Sequence, residues 1–198
     1  MSAAIPRLQL EDMRPDLADY LTPRVRRLNY LGELFQVGGH APGVLLTFMQ
    51  FTEALKEALP DRLAETAVLT TATLMENAYE RNQHERLCVR LGFEREWISE
   101  VERLEPDRAT LMTDTERAVQ AYVIAALATH GLRAQAEFER VAALLPAGQA
   151  VAVAMLAGRY VTHALIVNTF QLAPPVPSIW EDGFGLPPTA PAPCTTKP

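Results

Sequence analysis

Apolar residues recur at spacings of three and four along most of the chain, and Pro and Gly punctuate the runs. After a lead-in over residues 1–10, Pro15 opens a short helix, Asp16 to Leu21, that is expected to stop near Pro23. Val25, Leu28, Leu31, Leu34 and Phe35 form the apolar stripe of a second helix, ended by Gly38 and Gly39. Pro42 sits in the first turn of a third, which runs to Leu59. Arg62 to Leu91 contains neither Pro nor Gly and reads as one long helix with Gly92 as its C-cap. Further helices are expected over Glu94 to Leu104, from Thr113 or Asp114 to His130, over Ala134 to Leu145, and from Gln149 to Leu172. No segment alternates with the period of a strand. The fold class is all-α, a bundle of about seven to eight helices.

Composition changes after Leu172. Eight of the fifteen prolines lie between Pro174 and Pro198, which rules out regular helix there. The chain therefore divides into a single domain over 1–172 and a Pro-rich tail over 173–198, partly docked through Ile179, Trp180 and Phe184 or disordered.

Charge and cysteine content narrow the function classes. The net charge of −6 comes with no basic cluster longer than Arg24-Val-Arg-Arg27, so nucleic acid is not an expected partner. No run reaches the ~20 apolar residues of a membrane span, and Met1 to Arg7 lacks the features of a signal peptide, so a cytoplasmic protein without membrane contact is expected. The two cysteines, Cys88 and Cys194, are too far apart in sequence to suggest a disulfide framework. No phosphate-binding Gly-rich loop, nucleophile elbow or metal-ligand spacing is present, so no cofactor and no metal are expected.

The candidate chemistry lies on the segment Glu76 to His84. Tyr79, Glu80, Gln83, His84 and Cys88 follow helical spacing, so a carboxylate, an imidazole and a thiol line one strip. A carboxylate beside an imidazole raises its pKa and orients it, which suits proton transfer. Glu65 faces the same way as Glu80, fifteen positions earlier. The two can share a pocket only if the chain bends between them, and Thr66, Thr70, Thr71 and Thr73 are the residues expected to permit it. His163, on the apolar last helix, reads as a hydrogen-bonded core residue that could also border a pocket.

The blocks Leu63-Ala-Glu65, Tyr79-Glu-Arg-Asn-Gln-His84 and Leu91-Gly-Phe-Glu-Arg-Glu-Trp-Ile98 resemble the carboxymuconolactone decarboxylase and alkylhydroperoxidase AhpD-like superfamily. Arg81 stands where that pattern has tryptophan. The likeness extends over residues 25–172, through Asn29 to Phe35, His40-Ala-Pro42, Glu116 to Tyr122 and Gly158 to Phe170. In the redox branch a glutamate is followed by Cys-x-x-Cys and then a histidine. By position these fall on Glu65, Asn77, Glu80 and His84, so both thiols are missing and dithiol–disulfide cycling is not expected. The decarboxylase branch keeps Glu-x-x-x-His, matching Glu80 and His84. The resemblance thus implies an AhpD-like bundle and acid–base chemistry on a small carboxylated or lactone-type substrate. His84, Glu80 and Glu65 would be the catalytic residues. Tyr79, Asn77, Cys88, Arg81 and His163 would lie around the substrate, with Arg81 or Arg86 as candidates to meet developing negative charge. It further implies a homo-oligomer: a dimer, trimer or hexamer. Two alternatives stand beside it, a peroxidase-related protein using Cys88 and a non-catalytic ligand-binding oligomer.

Overall fold

The computed structural model describes residues 5–181, and within them the chain is all-α. Nine α-helices follow in order: α1 (Pro15–Leu28), α2 (Glu33–Gly38), α3 (Pro42–Glu57), α4 (Asp61–Leu74), α5 (Ala78–Arg90), α6 (Arg95–Glu102), α7 (Asp114–Ala128), α8 (Gln135–Leu144) and α9 (Ala147–Phe170). Short 3-10 turns stand at Leu10–Asp12 and Pro106–Arg108. Pro opens α1 and α3 within the first turn, and Gly92 follows the α5 C-cap with positive φ, a conformation that costs glycine least, whereas α7 is followed by left-handed His130 and then Gly131. A reciprocal cap starts α7, where Thr113 accepts from the backbone of Glu116 and the Glu116 carboxylate accepts from the backbone of Thr113.

Three boundaries differ from the sequence expectation. Helix α1 runs through Pro23 to Leu28. The lost hydrogen bond falls on the carbonyl of exposed Asp19, which water can serve. The stripe from Val25 to Phe35 is two helices, because Asn29 takes a left-handed φ of 62° and closes α1. The expected long helix from Arg62 to Leu91 breaks at Met75, Glu76 and Asn77. The threonines do not make that break. Thr66 and Thr71 each donate to the carbonyl four residues back and stay within α4.

Helix α4 is the centre of the bundle, packed against α5, α6, α7 and α9. Its Ala67 and Val68 join Val119 and Val123 of α7, Val141 of α8, and Val153 and Leu156 of α9 in the main core. Full burial of a Val or Leu side chain contributes roughly 1.5–3 kcal/mol, so this cluster supplies much of the driving force. A second cluster joins Leu69, Trp97, Ile98, Val101 and Met112 to Ile179 of the tail segment. The tail thus lies on the body as far as residue 181, with Trp180 half exposed and Phe184 outside the described residues.

Helix α9 amends one expectation. At 24 residues it is long and apolar enough to cross a membrane by length and composition. In the fold it is a core helix, and its buried face includes Arg159, Tyr160 and His163.

Candidate active site

The break between α4 and α5 builds the site. Glu76 adopts a left-handed φ of 52°, and the Asn77 amide reaches back to the Ala72 carbonyl at 2.8 Å. Asn77 then caps α5, its side-chain oxygen accepting from the Glu80 amide at 3.2 Å. Helix α5 therefore folds back along α4. His84 Nδ1 meets Glu65 Oε2 at 2.5 Å, although the two residues lie on different helices.

Other groups close around this pair. Lys56 Nζ of α3 lies 3.3 Å from the second oxygen of Glu65. The other ring nitrogen of His84, Nε2, is 3.1 Å from the Tyr160 hydroxyl of α9 and 3.5 Å from Glu80 Oε2. The remaining oxygen of Glu80 lies 2.8 Å from His163 Nε2 and 3.6 Å from Arg159 Nη1. Arg159 donates through Nε to Thr52 Oγ1 at 2.7 Å and stacks on the rings of Phe48 and Tyr160. Each of these polar groups therefore gains a partner that offsets part of its desolvation.

The electrostatics fix protonation states. Burial disfavours the charge on His84, but the Glu65 carboxylate outweighs it and raises the imidazole to about 10. Burial pushes the Glu65 carboxyl up, and His84 and Lys56 bring it below its ordinary value. The same contest at Glu80 is won by His163 and His84, which hold that carboxyl well below the usual range. Near neutrality the site thus holds an imidazolium between two carboxylates. His84 donates from Nδ1 to Glu65 and can donate from Nε2 to the Tyr160 oxygen, which frees the tyrosine proton for another acceptor.

A cavity of about 810 Å³ opens on this group and is bordered by Glu80, His84, Lys56, Thr52, Arg159 and Tyr160. Its outer wall adds Arg24, Arg27, Arg86 and Arg90 against Glu53 and Glu57, so cations outnumber carboxylates around the cavity in a chain of net charge −6.

Of the residues the sequence singled out, His84, Glu80 and Glu65 come together here. The five expected around the substrate stand outside the cavity wall. Asn77 and His163 are buried behind Glu80, with Asn77 Nδ2 3.3 Å from His163 Nδ1. Tyr79 turns to α2, its hydroxyl accepting from the Leu34 amide at 3.3 Å, and Gly32 leaves room for that oxygen where a Cβ would collide with it. Arg81 pairs with Glu85 at 3.3 Å on another face of α5. Cys88 has no exposure, and its sulfur lies 3.9 Å from Glu65 Oε2. Burial and the Glu65 charge push its thiol up, away from a reactive thiolate. Arg86, the other cation considered, borders the cavity while donating to the Pro177 carbonyl at 2.8 Å.

Sequence reasoning missed Lys56, Arg159 and Tyr160. The single Asp, Glu, Lys or Arg residue in a 24-residue helix, Arg159, is the signal that could have found the last two, because a buried cation needs a partner.

No family model and no curated protein matches the sequence. Solved structures do match. A peroxidase-related protein from Ralstonia eutropha JMP134 with an alkylhydroperoxidase AhpD core superposes with a TM-score of 0.75 at 16% identity, covering 85% of this chain and 90% of that one. The fold is AhpD-like. A cysteine-to-alanine variant of the debrominase Bmp8, in complex with 2,3,4-tribromopyrrole, matches this AhpD-like chain with a TM-score of 0.75 at 14% identity, covering 88% of this chain and 92% of its own. A protein of unknown function from Agrobacterium tumefaciens reaches a TM-score of 0.62 at 18% identity, over 71% of this chain and 96% of that one.

Proposed function

We propose that this AhpD-like chain is a non-redox acid–base enzyme of the carboxymuconolactone decarboxylase-like type, acting on a small carboxylated or lactone-type substrate. The observation that carries the reading is the Glu65–His84–Tyr160 series, which ends at a cavity bordered by Lys56 and Arg159. The excess of cations favours an anionic ligand. The bound tribromopyrrole of the debrominase is a small ring in a protein of the same fold, in keeping with a ligand of that size.

In this reading Tyr160 is the proton donor and His84 the group that replenishes it. As a carbon–carboxylate bond breaks, its electron pair moves into an adjacent carbonyl. Lys56 and Arg159 meet the charge that develops on that oxygen. The Tyr160 proton goes to the substrate carbon, CO₂ leaves, and His84 Nε2 returns a proton to the tyrosine oxygen while Glu65 holds the ring. His84 is then reprotonated from solvent. A lactone isomerisation would use the same donor and return the proton afterwards. Glu80 supports the imidazolium and Arg159.

The test is turnover of a panel of small carboxylated lactones and enol acids in D₂O, following CO₂ release and deuterium uptake. His84→Gln and Tyr160→Phe should each lower both by about a hundredfold or more. Undiminished turnover in either variant would sink the reading, and binding without turnover in the unaltered protein would favour a non-catalytic ligand-binding oligomer. A thiol-based reading draws no support from Cys88, given its burial. Cys194 lies outside the described residues.

The reading extends to a cytoplasmic homo-oligomer. Val151, Met155 and Leu165 form an exposed apolar stripe on α9 that would supply a subunit contact.

A further inference from the structure

The cavity is larger than a small ring requires. A dry pocket of about 150 Å³ takes up a benzene-sized molecule, whereas this cavity measures about 810 Å³. Glu80, His84 and Arg159 are buried in its depth, while Arg27 and Arg90 are exposed at its mouth. Gln83, Arg86 and Arg90 recur at i, i+3 and i+7 and so line one edge of α5. The Tyr30 hydroxyl donates to Gln83 Oε1 at 2.8 Å and brings the end of α1, with Arg27, up to that edge. All five residues border the cavity. Burial raises the Tyr30 phenol, as does the Glu80 charge, and Arg90, Arg86 and Arg27 pull it back, so three guanidiniums act on one point.

The chain does not neutralise this charge. Glu53 pairs with Arg24 at 3.0 Å, Glu65 with Lys56 at 3.3 Å and Glu80 with Arg159 at 3.6 Å. Among the described residues Arg27 and Arg90 form no ion pair, and Glu57 of α3 is the one wall carboxylate left without a partner. An arginine in a last turn complements the helix dipole, and both Arg27 of α1 and Arg90 of α5 stand there. Each dipole end amounts to roughly half a charge, so two helix ends offset only part of the excess. Arg86 is fixed by the tail segment: its Nε donates to the Pro177 carbonyl at 2.8 Å, and the adjacent Val176 carbonyl accepts from Asn82 at 3.0 Å. One side of the mouth is thus set before a ligand arrives, which lowers the cost of binding.

We propose that the mouth formed by Arg27, Arg86 and Arg90 binds a phosphoryl group, and that the substrate is a small carboxylated head carrying a phosphoryl arm. The head rests on the acid–base reading above, and the mouth does not. A carboxylate engages a single guanidinium through two parallel hydrogen bonds. A phosphoryl group brings close to two charges and three acceptor oxygens, enough for guanidiniums from two helices at once. Arg90 lies six residues beyond His84, about 9 Å along the helix axis, so the arm spans several bonds between the acid–base centre and the mouth. Leu87, midway between them on α5, gives that arm an apolar wall.

The test is titration calorimetry of the full chain with inorganic pyrophosphate and, separately, with succinate. Pyrophosphate should bind the more tightly of the two. Arg27→Gln and Arg90→Gln together should weaken pyrophosphate by about tenfold or more. Each alone should weaken it in the same direction, so the comparison stands if the paired variant does not fold. Arg133→Gln, at an exposed arginine between α7 and α8, should leave the affinity unchanged. The mouth site is overturned by an absence of pyrophosphate binding, by an affinity that the paired substitutions do not move, or by an equal loss in Arg133→Gln. Tighter binding of succinate would overturn the phosphoryl assignment. Calorimetry does not depend on turnover, so the two readings fail separately. Pyrophosphate binding in a protein that turns over no carboxylated substrate would sink the acid–base reading and support the mouth site, and turnover without pyrophosphate binding would do the reverse.

Discussion

Glu65 and His84 stand 2.5 Å apart at the heart of the bundle, joined across the turn that separates α4 from α5. Neither helix alone could make this contact. It depends on the left-handed residue at 76 and on the cap at 77, so one feature of the backbone sets the chemistry of the centre.

That pair makes stability depend on pH in a defined direction. His84 is raised from 6.5 to about 10, so its contribution is fully present below about pH 6.5 and is lost as pH rises through about 10. Glu65 is lowered from 4.5, so its contribution is present above that value and fades as pH falls. Thermal unfolding should therefore be most resistant between these limits and weaken steadily toward alkali. Glu65→Ala, which strands a buried imidazolium, should cost about 3 kcal/mol at neutral pH. Denaturant unfolding across pH checks both, and a profile for Glu65→Ala parallel to that of the unaltered protein would count against the pairing.

Tyr160→Phe isolates the proposed donor. The ring keeps its edge contact with the His84 imidazole, at a centroid distance of 5.4 Å, and only the hydroxyl is lost. Stability should change by about 1 kcal/mol, while turnover of a carboxylated substrate should drop roughly a hundredfold. Steady-state kinetics beside a melting curve separates the two, and equal losses in both would mark Tyr160 as structural.

Cys88 gives the cleanest test against thiol chemistry. Its sulfur is buried and lies next to a carboxylate, so native protein should react with iodoacetamide at Cys88 far more slowly than unfolded protein. Cys88→Ala should cost about 1 kcal/mol through the small void it leaves, and turnover should survive. Mass-spectrometric mapping of the labelled residue reads this directly, and rapid native labelling at Cys88 would reopen a redox role.

Much of the bundle was legible because Pro15, Pro42, Pro60, Gly92 and Pro146 stand at or close to helix boundaries. The missed boundaries have other chemistry. Asn29 and Glu76 reach left-handed φ without being glycine, and Pro23 is carried inside a helix. Within the site, Glu80 and His84 were readable as a one-turn pair on a single helix. Lys56 and Tyr160 were not, because α3 and α9 meet α5 only through tertiary packing and no spacing rule connects them. The five residues expected around the substrate follow the strip of α5 or lie near it in the fold. The cavity instead opens where α1, α3, α5 and α9 meet, which a single-helix projection does not contain.

The turn at Glu76 yields the last prediction. A side chain with a Cβ in the left-handed region costs roughly 1–2 kcal/mol, and glycine avoids that cost. Glu76 is exposed and the φ of 52° is fixed by the hydrogen bond from the Asn77 amide to Ala72, so no packing is lost on removing the side chain. Glycine gives back part of the gain through the greater freedom of the unfolded chain. Glu76→Gly should therefore stabilise the protein by about 0.5–1 kcal/mol. Glu76→Val, β-branched at the same φ, should destabilise it by at least as much. Chemical denaturation of the two variants decides. Should both lie within error of the unaltered protein, the turn would be too compliant to set the Glu65–His84 geometry, and the cap at Asn77 would have to carry that role alone.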